Sequence, residues 1–206
     1  ERSIMLMSAG NLATTQAVVS LLDERSKSQE ERAPSLLAVP SMFQAARMVA
    51  EVLREVIEQH ADTGQRADST FNATLILGGQ IKGGPHRLFL IYPEGNFIEA
   101  AVDTPFFQIG EAKYGRPILV RAYEPDMSFE AAMKLLLVSF DSTLKANLTV
   151  GAPFDFHCYD ADSLKTGRTG RVASDDAYFQ KVSEGWGEAL RDALDMLPEF
   201  TLGPTP

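Results

Sequence analysis

Two glycine turns and one polar loop hold the groups of this sequence that could do chemistry. At the first turn, the apolar run Ser3–Ala9 passes through Gly10 directly into a helical pattern, with Asn11 as the predicted N-cap. A strand that turns into a helix in this way presents backbone N–H groups at a helix N-terminus, where they can stabilise a developing negative charge. The turn at Gly10 therefore predicts an oxyanion or anion site.

The second glycine turn and the polar loop offer carboxylate and amide side chains. Gly110 again separates a strand pattern from a helical one, and Glu111 follows in the predicted first helical turn, with Lys113 as a charge neighbour. The polar loop is Asn147–Gly151, between a long apolar helix and a strand. Spacing alone favours capping and turn chemistry over a functional role at both places.

Other familiar motifs are absent or weak. The sequence contains no G-x-S-x-G, H-E-x-x-H or paired C-x-x-C motif. The glycine-rich stretch Gly78–Gly84 lacks the Ser or Thr that follows the lysine of a phosphate-binding loop, and a strand pattern follows it, which favours a hairpin turn. Cys158 alternates with His157 in a strand pattern, which favours a buried core cysteine over a nucleophile.

The composition is typical of a globular domain with an acidic surface. Of the 206 residues, 45% are hydrophobic, and 28 Asp and Glu against 19 Lys and Arg give a net charge of −9. Such a surface repels phosphate backbones and anionic lipid, so we expect no nucleic-acid and no membrane partner. The single cysteine excludes an internal disulfide and fits a reducing, cytoplasmic compartment. We expect no cofactor and no bound metal.

The elements that must position these groups alternate between strands and helices. The predicted strands are Ser3–Ala9, Phe71–Leu77, His86–Tyr92, Phe97–Val102 and Pro153–Tyr159, and the predicted helices are Asn11–Leu22, Ser41–His60, Ala112–Val120, Phe129–Leu144 and Asp175–Leu197. Two further stretches, Glu24–Glu31 and Gly78–Pro85, are predicted to be a solvated connection and a turn.

Two helix pairs in this order must each cover a sheet. The sequence therefore predicts an α/β (α+β) fold, a four-layer αββα sandwich of two stacked antiparallel sheets, with a two-layer α+β domain as the alternative. Residues 1–197 are predicted to form one domain, followed by a loose tail at 198–206. The sequence begins with Glu1 and no signal-peptide pattern follows, so we expect a truncated or partly observed chain.

These segments together resemble a proteasome β-type subunit, and most of all the bacterial ancestral β-subunit family, Anbu. The resemblance is carried by Ser8–Thr15, by the hairpin from Leu75–Gly79 to Arg87–Asn96, by the Ile109–Gly110 turn and by the Asn147–Gly151 loop. It covers essentially the whole chain up to the tail. It implies the αββα fold of the N-terminal-nucleophile hydrolases, here without its first strands, and a ring or spiral of identical subunits.

The resemblance also implies a peptidase whose N-terminal threonine supplies the nucleophilic hydroxyl and, through its α-amine, the base. Glu1 has no hydroxyl, so that threonine, with the Asp and Lys that tune it, is expected upstream of this chain. Gly10 matches the glycine whose backbone N–H helps to form the oxyanion hole. Ser8 and Leu12 match positions that line the substrate pocket.

Three supporting positions depart from the proteasome pattern. Glu111 stands where a serine is usual, Asn147 where an aspartate is usual, and Val150 replaces another serine. The leading hypothesis is a threonine endopeptidase subunit acting on peptide or unfolded protein, with any ATPase partner left open. The alternative is a non-catalytic scaffold or assembly subunit, and the third possibility is an unrelated hydrolase that uses Cys158.

Overall fold

The computed structural model describes residues 1–27, 35–61 and 71–203, which divide into two compact units. Unit 1 comprises Glu1–Gly110 and His157–Arg168, and unit 2 comprises Glu111–Phe156 and Thr169–Pro206. The elements in chain order are β1 (Arg2–Gly10), α1 (Leu12–Lys27), α2 (Met42–Ala61), β2 (Ala73–Ile81), β3 (Arg87–Ile91), β4 (Phe97–Glu99), α3 (Arg116–Ala122), α4 (Phe129–Ala146), β5 (Phe154–Cys158), β6 (Arg168–Val172) and α5 (Ala177–Asp195).

Unit 1 is built on a four-stranded antiparallel sheet in the order β1-β2-β3-β4, against which α1 and α2 pack. The apolar face that periodicity predicts for α2 is buried at every position, namely Met42, Ala45, Ala46, Val49, Val52, Leu53 and Val56. It packs against alternate residues of the sheet, among them Leu75, Leu77, Phe89 and Ile91, all of which are 0% exposed. Local hydrophobic periodicity therefore determined which face of α2 is covered.

The first strand differs from its prediction as an interior strand. Within the described residues β1 lies at the edge of the sheet and pairs only with β2. Ile4 and Leu6 pack against the core, whereas Met7, on the opposite face, is 51% exposed. An apolar composition indicates that a strand has faces to cover, but it does not specify how many neighbours the strand has.

The predicted turn at Gly78–Pro85 is shorter in the structure. β2 continues through Ile81, and the hairpin turn to β3 follows at Lys82–Gly84. Gly79 lies within β2. A glycine is needed there because β1 comes so close that a Cβ would lie 2.1 Å from the Ser3 carbonyl oxygen. Since a strand follows the glycine-rich stretch, the prediction of a hairpin rather than a phosphate-binding loop is confirmed.

Helix α1 is longer than predicted and ends at Lys27. The charged residues of its last turn, expected in a solvated connection, are held by ion pairs. Lys27 pairs with Asp23 one turn earlier, and Arg25 pairs with Glu55 of α2 at 2.8 Å. The remainder of the predicted connection and the polar block after α2 lie outside the described residues.

Unit 2 has a small aromatic core beneath its helices. Phe154 of β5 stacks on Phe140 of α4, with ring centroids 4.6 Å apart, and meets Phe179 of α5 edge to face at 5.3 Å. β5 pairs with β6, a strand that the sequence did not predict because Arg168–Val172 is short and polar and shows no apolar alternation. An Arg171–Asp155 ion pair at 2.6 Å joins the two strands.

The predicted fold class, helices combined with two antiparallel sheets, is confirmed. The assignment of residues 1–197 to one domain with a loose tail stays a prediction. None of the five helices in the described part of the chain has the length and hydropathy that a membrane span requires.

Candidate functional site

The first glycine turn is held by backbone contacts that leave no room for a side chain. Gly10 ends β1 with φ +115°, and a Cβ there would lie 2.4 Å from the carbonyl oxygen of Asn72. The N–H of Asn11 donates to that same oxygen at 2.9 Å. A glycine is therefore required, because both the positive φ and the close approach of Asn72 exclude a Cβ.

The helix that follows begins at a well-made cap. The Asn11 side-chain oxygen accepts the N–H of Thr14 at 3.0 Å, which confirms the predicted N-cap. Thr14 is completely buried, and its hydroxyl donates to the carbonyl oxygen of Phe71 at 2.8 Å. Both ends of the turn are thus tied to the segment that leads into β2.

Replacing Asn11 by alanine should lower the free energy of unfolding by about 1 kcal/mol, because one N-terminal N–H of α1 loses its acceptor. Asn11→Asp keeps an acceptor oxygen and should stay close to the wild type. Urea denaturation of both variants measures the difference, with Gln16→Ala on the exposed face of α1 as the matched control. Equal stability of Asn11→Ala and Gln16→Ala would contradict a capping role.

The residues that flank the turn reach the surface. Ser8 lies opposite Leu75 in the β1–β2 ladder and is exposed, and Leu12, the first residue of α1, is 68% exposed. An exposed leucine at the start of a helix leaves apolar surface available for contact. Ser8, Gly10 and Leu12 are therefore all accessible on unit 1.

The two glycine turns meet within unit 1. Gly110 has φ +78°, and a Cβ built on it would lie 3.5 Å from the Cβ of Ala9, the residue before Gly10. Nothing in the spacing of the sequence indicates this contact, since the two turns are far apart along the chain. In the structure the two turns lie side by side, because Gly110 packs against Ala9, the last residue but one of β1.

Glu111 and Asn147, which the sequence analysis considered separately, are joined by a hydrogen bond within unit 2. The Asn147 side-chain amide donates to Glu111 Oε2 at 2.9 Å, and Glu111 Oε1 accepts the N–H of Lys113 at 2.9 Å. The other end of the amide, Asn147 Oδ1, accepts the N–H and the hydroxyl of Thr149 at 2.9 and 2.7 Å. The pair therefore fastens the turn after Gly110 to the loop after α4.

The placement of Glu111 in a first helical turn is wrong. α3 begins only at Arg116, with Gly115 as its N-cap and a proline in its first turn. Proline lacks an N–H and has a fixed φ, so it suits the first turn of a helix and defines where α3 starts. Gly115 in turn packs against α4 so closely that a Cβ would lie 2.2 Å from Ser139 Oγ.

The surroundings of Glu111 favour its charged form. The backbone N–H of Lys113 holds the pKa of the Glu111 carboxyl below its ordinary value, helped by the Asn147 amide and by the positive charge of Lys113, while partial burial opposes them. A group whose pKa is lowered by folding stabilises the fold above its unfolded pKa and loses that contribution as the pH falls through the folded pKa. The pair is therefore complete at neutral pH.

Asn147→Asp should lower the melting temperature at pH 7 by a few degrees, because it sets a second carboxylate against Glu111 and raises the pKa of both. The deficit should shrink below about pH 5, where one carboxyl takes up a proton and can donate to the other. Calorimetry at pH 7 and pH 4.5 measures it. Asn147→Ala is the control: it loses the bond without adding a charge, so its deficit should not shrink in this way.

Sequence reasoning missed Gln80, which is 3% exposed. Its amide nitrogen donates to the Gly84 carbonyl oxygen at 2.8 Å and to Asp162 Oδ1 at 2.6 Å, and its amide oxygen accepts from the Tyr159 hydroxyl and from the Asp162 N–H, each at 2.8 Å. The glycine-rich neighbourhood suggested a turn and hid this residue. A polar side chain beside Ile81 at the end of a buried strand was the available signal.

The cysteine is structural, as its alternation predicts. Cys158 is free and 8% exposed. The neighbouring His157 ring instead contacts the carbonyl oxygen of Thr166 through Nε2. Among the side chains that the structure describes, no group of three His, Cys, Asp or Glu is placed to hold a metal ion.

Comparisons with known proteins agree on one family. A family model described as "Proteasome subunit" matches residues 1–155. The chain is similar to the structure of Anbu (ancestral beta-subunit) from Yersinia bercovieri, with 48% identity over 98% of this chain and 83% of that chain and a TM-score of 0.88. It is also similar to the Anbu complex of Pseudomonas aeruginosa, described as a helical assembly, with 45% identity over 98% and 82% of the two chains and a TM-score of 0.88. A proteasome subunit beta 2 from Pyrobaculum calidifontis is 26% identical over 165 residues, 79% of this chain and 71% of that protein.

Proposed function

Because the chain belongs to the proteasome subunit family, we propose that it is a threonine peptidase subunit that works within an assembly of identical chains. In this proposal an N-terminal threonine, on a segment that precedes Glu1 in the full-length protein, attacks the peptide carbonyl carbon. Its hydroxyl proton passes to its own α-amine, which later returns a proton to the leaving amine. The resulting ester is then hydrolysed by water.

The observation that supports this proposal most is the rigid turn at Gly10. An oxyanion site must offer a backbone N–H that is already in position before charge develops on the substrate carbonyl oxygen. The positive φ of Gly10, the close approach of the Asn72 carbonyl oxygen and the capped helix that follows fix the backbone of this turn, which supports an oxyanion role for its N–H. Ser8 and Leu12, both exposed beside it, are proposed to contact the substrate residue that precedes the cleaved bond.

Glu111 and Asn147 are proposed to act as positioning residues. Where other proteasome β-subunits are expected to carry a serine and an aspartate, this chain has a carboxylate and an amide that bond each other at 2.9 Å. Such a pair can keep the turn after Gly110 and the loop at Asn147 in one arrangement without touching substrate. Their contribution is thus to the shape of this part of unit 2.

The same pair favours the second candidate function, a non-catalytic scaffold subunit. The Asn147 amide donates a hydrogen bond to Glu111, and its oxygen accepts hydrogen bonds from Thr149. Glu111 Oε1 accepts the Lys113 N–H. Groups engaged in this way serve the fold. The two candidate functions make opposite predictions for reactivity at the N-terminus.

The full-length protein should be labelled at its N-terminal residue by a peptide epoxyketone, a reagent that needs both a hydroxyl and a free α-amine. Intact-mass analysis and peptide mapping locate the adduct, and hydrolysis of fluorogenic peptides should stop with it. Cys158→Ala is the matched control and should leave labelling and hydrolysis unchanged, because this thiol is buried. A native N-terminus without Thr, Ser or Cys, or an adduct that depends on Cys158, would overturn the peptidase proposal.

The partners proposed with this function are further copies of the chain and peptide or unfolded protein substrates. The net charge of −9 supports the absence of nucleic-acid and membrane partners, and the single reduced cysteine supports a cytoplasmic location. An ATPase partner is left open.

A further inference from the structure

Asp141 is a buried acidic side chain of unit 2. It lies in the second half of α4 and is 5% exposed. Of the side chains that the structure describes, no other Asp, Glu, Lys, Arg or His is buried to this degree. Taking a carboxylate out of water is costly unless a cation or a hydrogen-bond donor compensates for it, so a carboxylate in this position indicates a partner.

The described residues do not supply that partner. Asp141 takes part in no hydrogen bond and no ion pair with any of them. Other polar groups of unit 2 are satisfied: Thr143, also buried in α4, donates to the Ser139 carbonyl oxygen at 2.9 Å, and the Asp176 carboxylate accepts two backbone N–H groups at the start of α5. The burial of Asp141 therefore points to a donor from outside the described residues.

The apolar side of α4 near Asp141 has surface left to cover. Leu137, one turn before Asp141, packs into the aromatic core with Phe154. Leu136 and Phe140 of the same helix remain 42% and 40% exposed. The β5–β6 sheet has two strands of five residues each in the described part of the chain, and so small a sheet is rarely stable without further partners. A further length of chain can therefore pack against this side of unit 2.

We propose that a hydrogen-bond donor on the segment that precedes Glu1 in the full-length protein binds Asp141, and that this bond positions the N-terminal nucleophile. The inference rests on the proposed function, which places the nucleophile on that segment. Asp141 and Asn147 are about 9 Å apart along the axis at the end of α4. Asn147 holds Glu111, and Asp141 holds the incoming segment. Asp141 is thus a positioning residue that does not touch substrate.

A donor on the same chain fits the burial of Asp141 better than a donor on a second copy. It satisfies the carboxylate in every folded copy. A donor on a second copy would leave the carboxylate buried and unpaired in each free subunit, which is the costly arrangement.

Hydrogen exchange of the full-length protein tests this bond. Asp141→Leu removes the acceptor and should speed exchange in the residues before Glu1 at least about tenfold beyond any global change. Epoxyketone labelling of the N-terminal residue and kcat for a fluorogenic peptide should fall by a similar factor while KM is unchanged, because the substrate contacts remain. Asp141→Asn keeps an acceptor oxygen and should recover most of these losses. Asp141→Ala replaces the leucine variant if that variant does not fold.

Thr143→Val is the matched control, because it removes a buried hydrogen bond from the same helix. It should lower the urea midpoint and leave labelling and exchange before Glu1 unchanged. Equal exchange before Glu1 in Asp141→Leu and Thr143→Val would overturn the inference, while labelling at the native N-terminus would still support the peptidase proposal. If no variant is labelled, the peptidase proposal fails, and exchange before Glu1 still tests the bond.

Two other sources of a partner give different results. If the donor belongs to a second copy, the effect of Asp141→Leu should vanish when the protein is diluted until its subunits separate. If the partner is a bound metal cation, EDTA should give the wild type the same fast exchange as Asp141→Leu. Either result would overturn the inference.

Discussion

Replacing Gly10 by alanine should lower the free energy of unfolding by roughly 3 kcal/mol and reduce peptide hydrolysis by the assembled protein 100-fold or more, on the order of the loss of one oxyanion donor. The new Cβ would lie 2.4 Å from the Asn72 carbonyl oxygen, in a backbone conformation with φ +115° that an L-residue avoids. Relief of the clash must move either β1 or the segment before β2, and both movements displace the Gly10 N–H. Urea denaturation and hydrolysis of a fluorogenic peptide measure the two losses.

Two other glycines separate the loss of stability from the loss of activity. Gly79→Ala meets a comparable clash, 2.1 Å from the Ser3 carbonyl oxygen, but lies at the far end of the β1–β2 pairing. It should cost similar stability while the folded fraction keeps its activity. Gly83→Ala, at φ +88° with no atom within 4 Å, should cost only about 1 kcal/mol. If Gly10→Ala and Gly79→Ala lose activity only in proportion to the protein that unfolds, Gly10 has no oxyanion role.

Replacing Gln80 by leucine should also lower the free energy of unfolding by about 3 kcal/mol, since four hydrogen bonds of a nearly buried amide are lost. The Tyr159 hydroxyl and the Asp162 N–H would lose an acceptor inside unit 1. These bonds also support a strained loop, because Asp162 and Leu164 have φ of 64° and 51°. Hydrogen exchange should therefore speed up in residues 159–164 beyond the global change.

Tyr159→Phe is the matched control for this network. It removes one hydroxyl that donates to Gln80 and accepts the Leu164 N–H at 3.2 Å, so it should cost about 1 kcal/mol. Gln80→Glu keeps the shape of the side chain but places a carboxylate beside that of Asp162, so its deficit should shrink as the pH falls and one carboxyl is protonated. A Gln80→Leu variant as stable as Tyr159→Phe would show that the four bonds contribute little.

The features that the sequence alone predicted all depend on neighbours along the chain. The covered face of α2 follows from hydrophobic spacing, the Gly10–Asn11 turn from a glycine beside a capping residue, and the burial of Cys158 from alternation in β5. The helix face, the turn and the buried cysteine each reflect a backbone periodicity or a turn geometry, which a few consecutive residues determine. The family was predicted separately, from the resemblance of these segments to a proteasome β-type subunit, and is confirmed.

The contacts between residues far apart in the sequence are of another kind. Glu111 and Asn147 are 36 residues apart, Gln80 and Asp162 are 82 apart, and Gly110 meets Ala9 across about half of the chain. The polar strand β6 likewise pairs with β5 although its own residues show no apolar alternation. Polar side chains carry no periodicity that names their partners, because a hydrogen bond depends on position and orientation in space. The sequence therefore determined the types of residue present at the site, and the packing of distant segments decided which of them bond to each other.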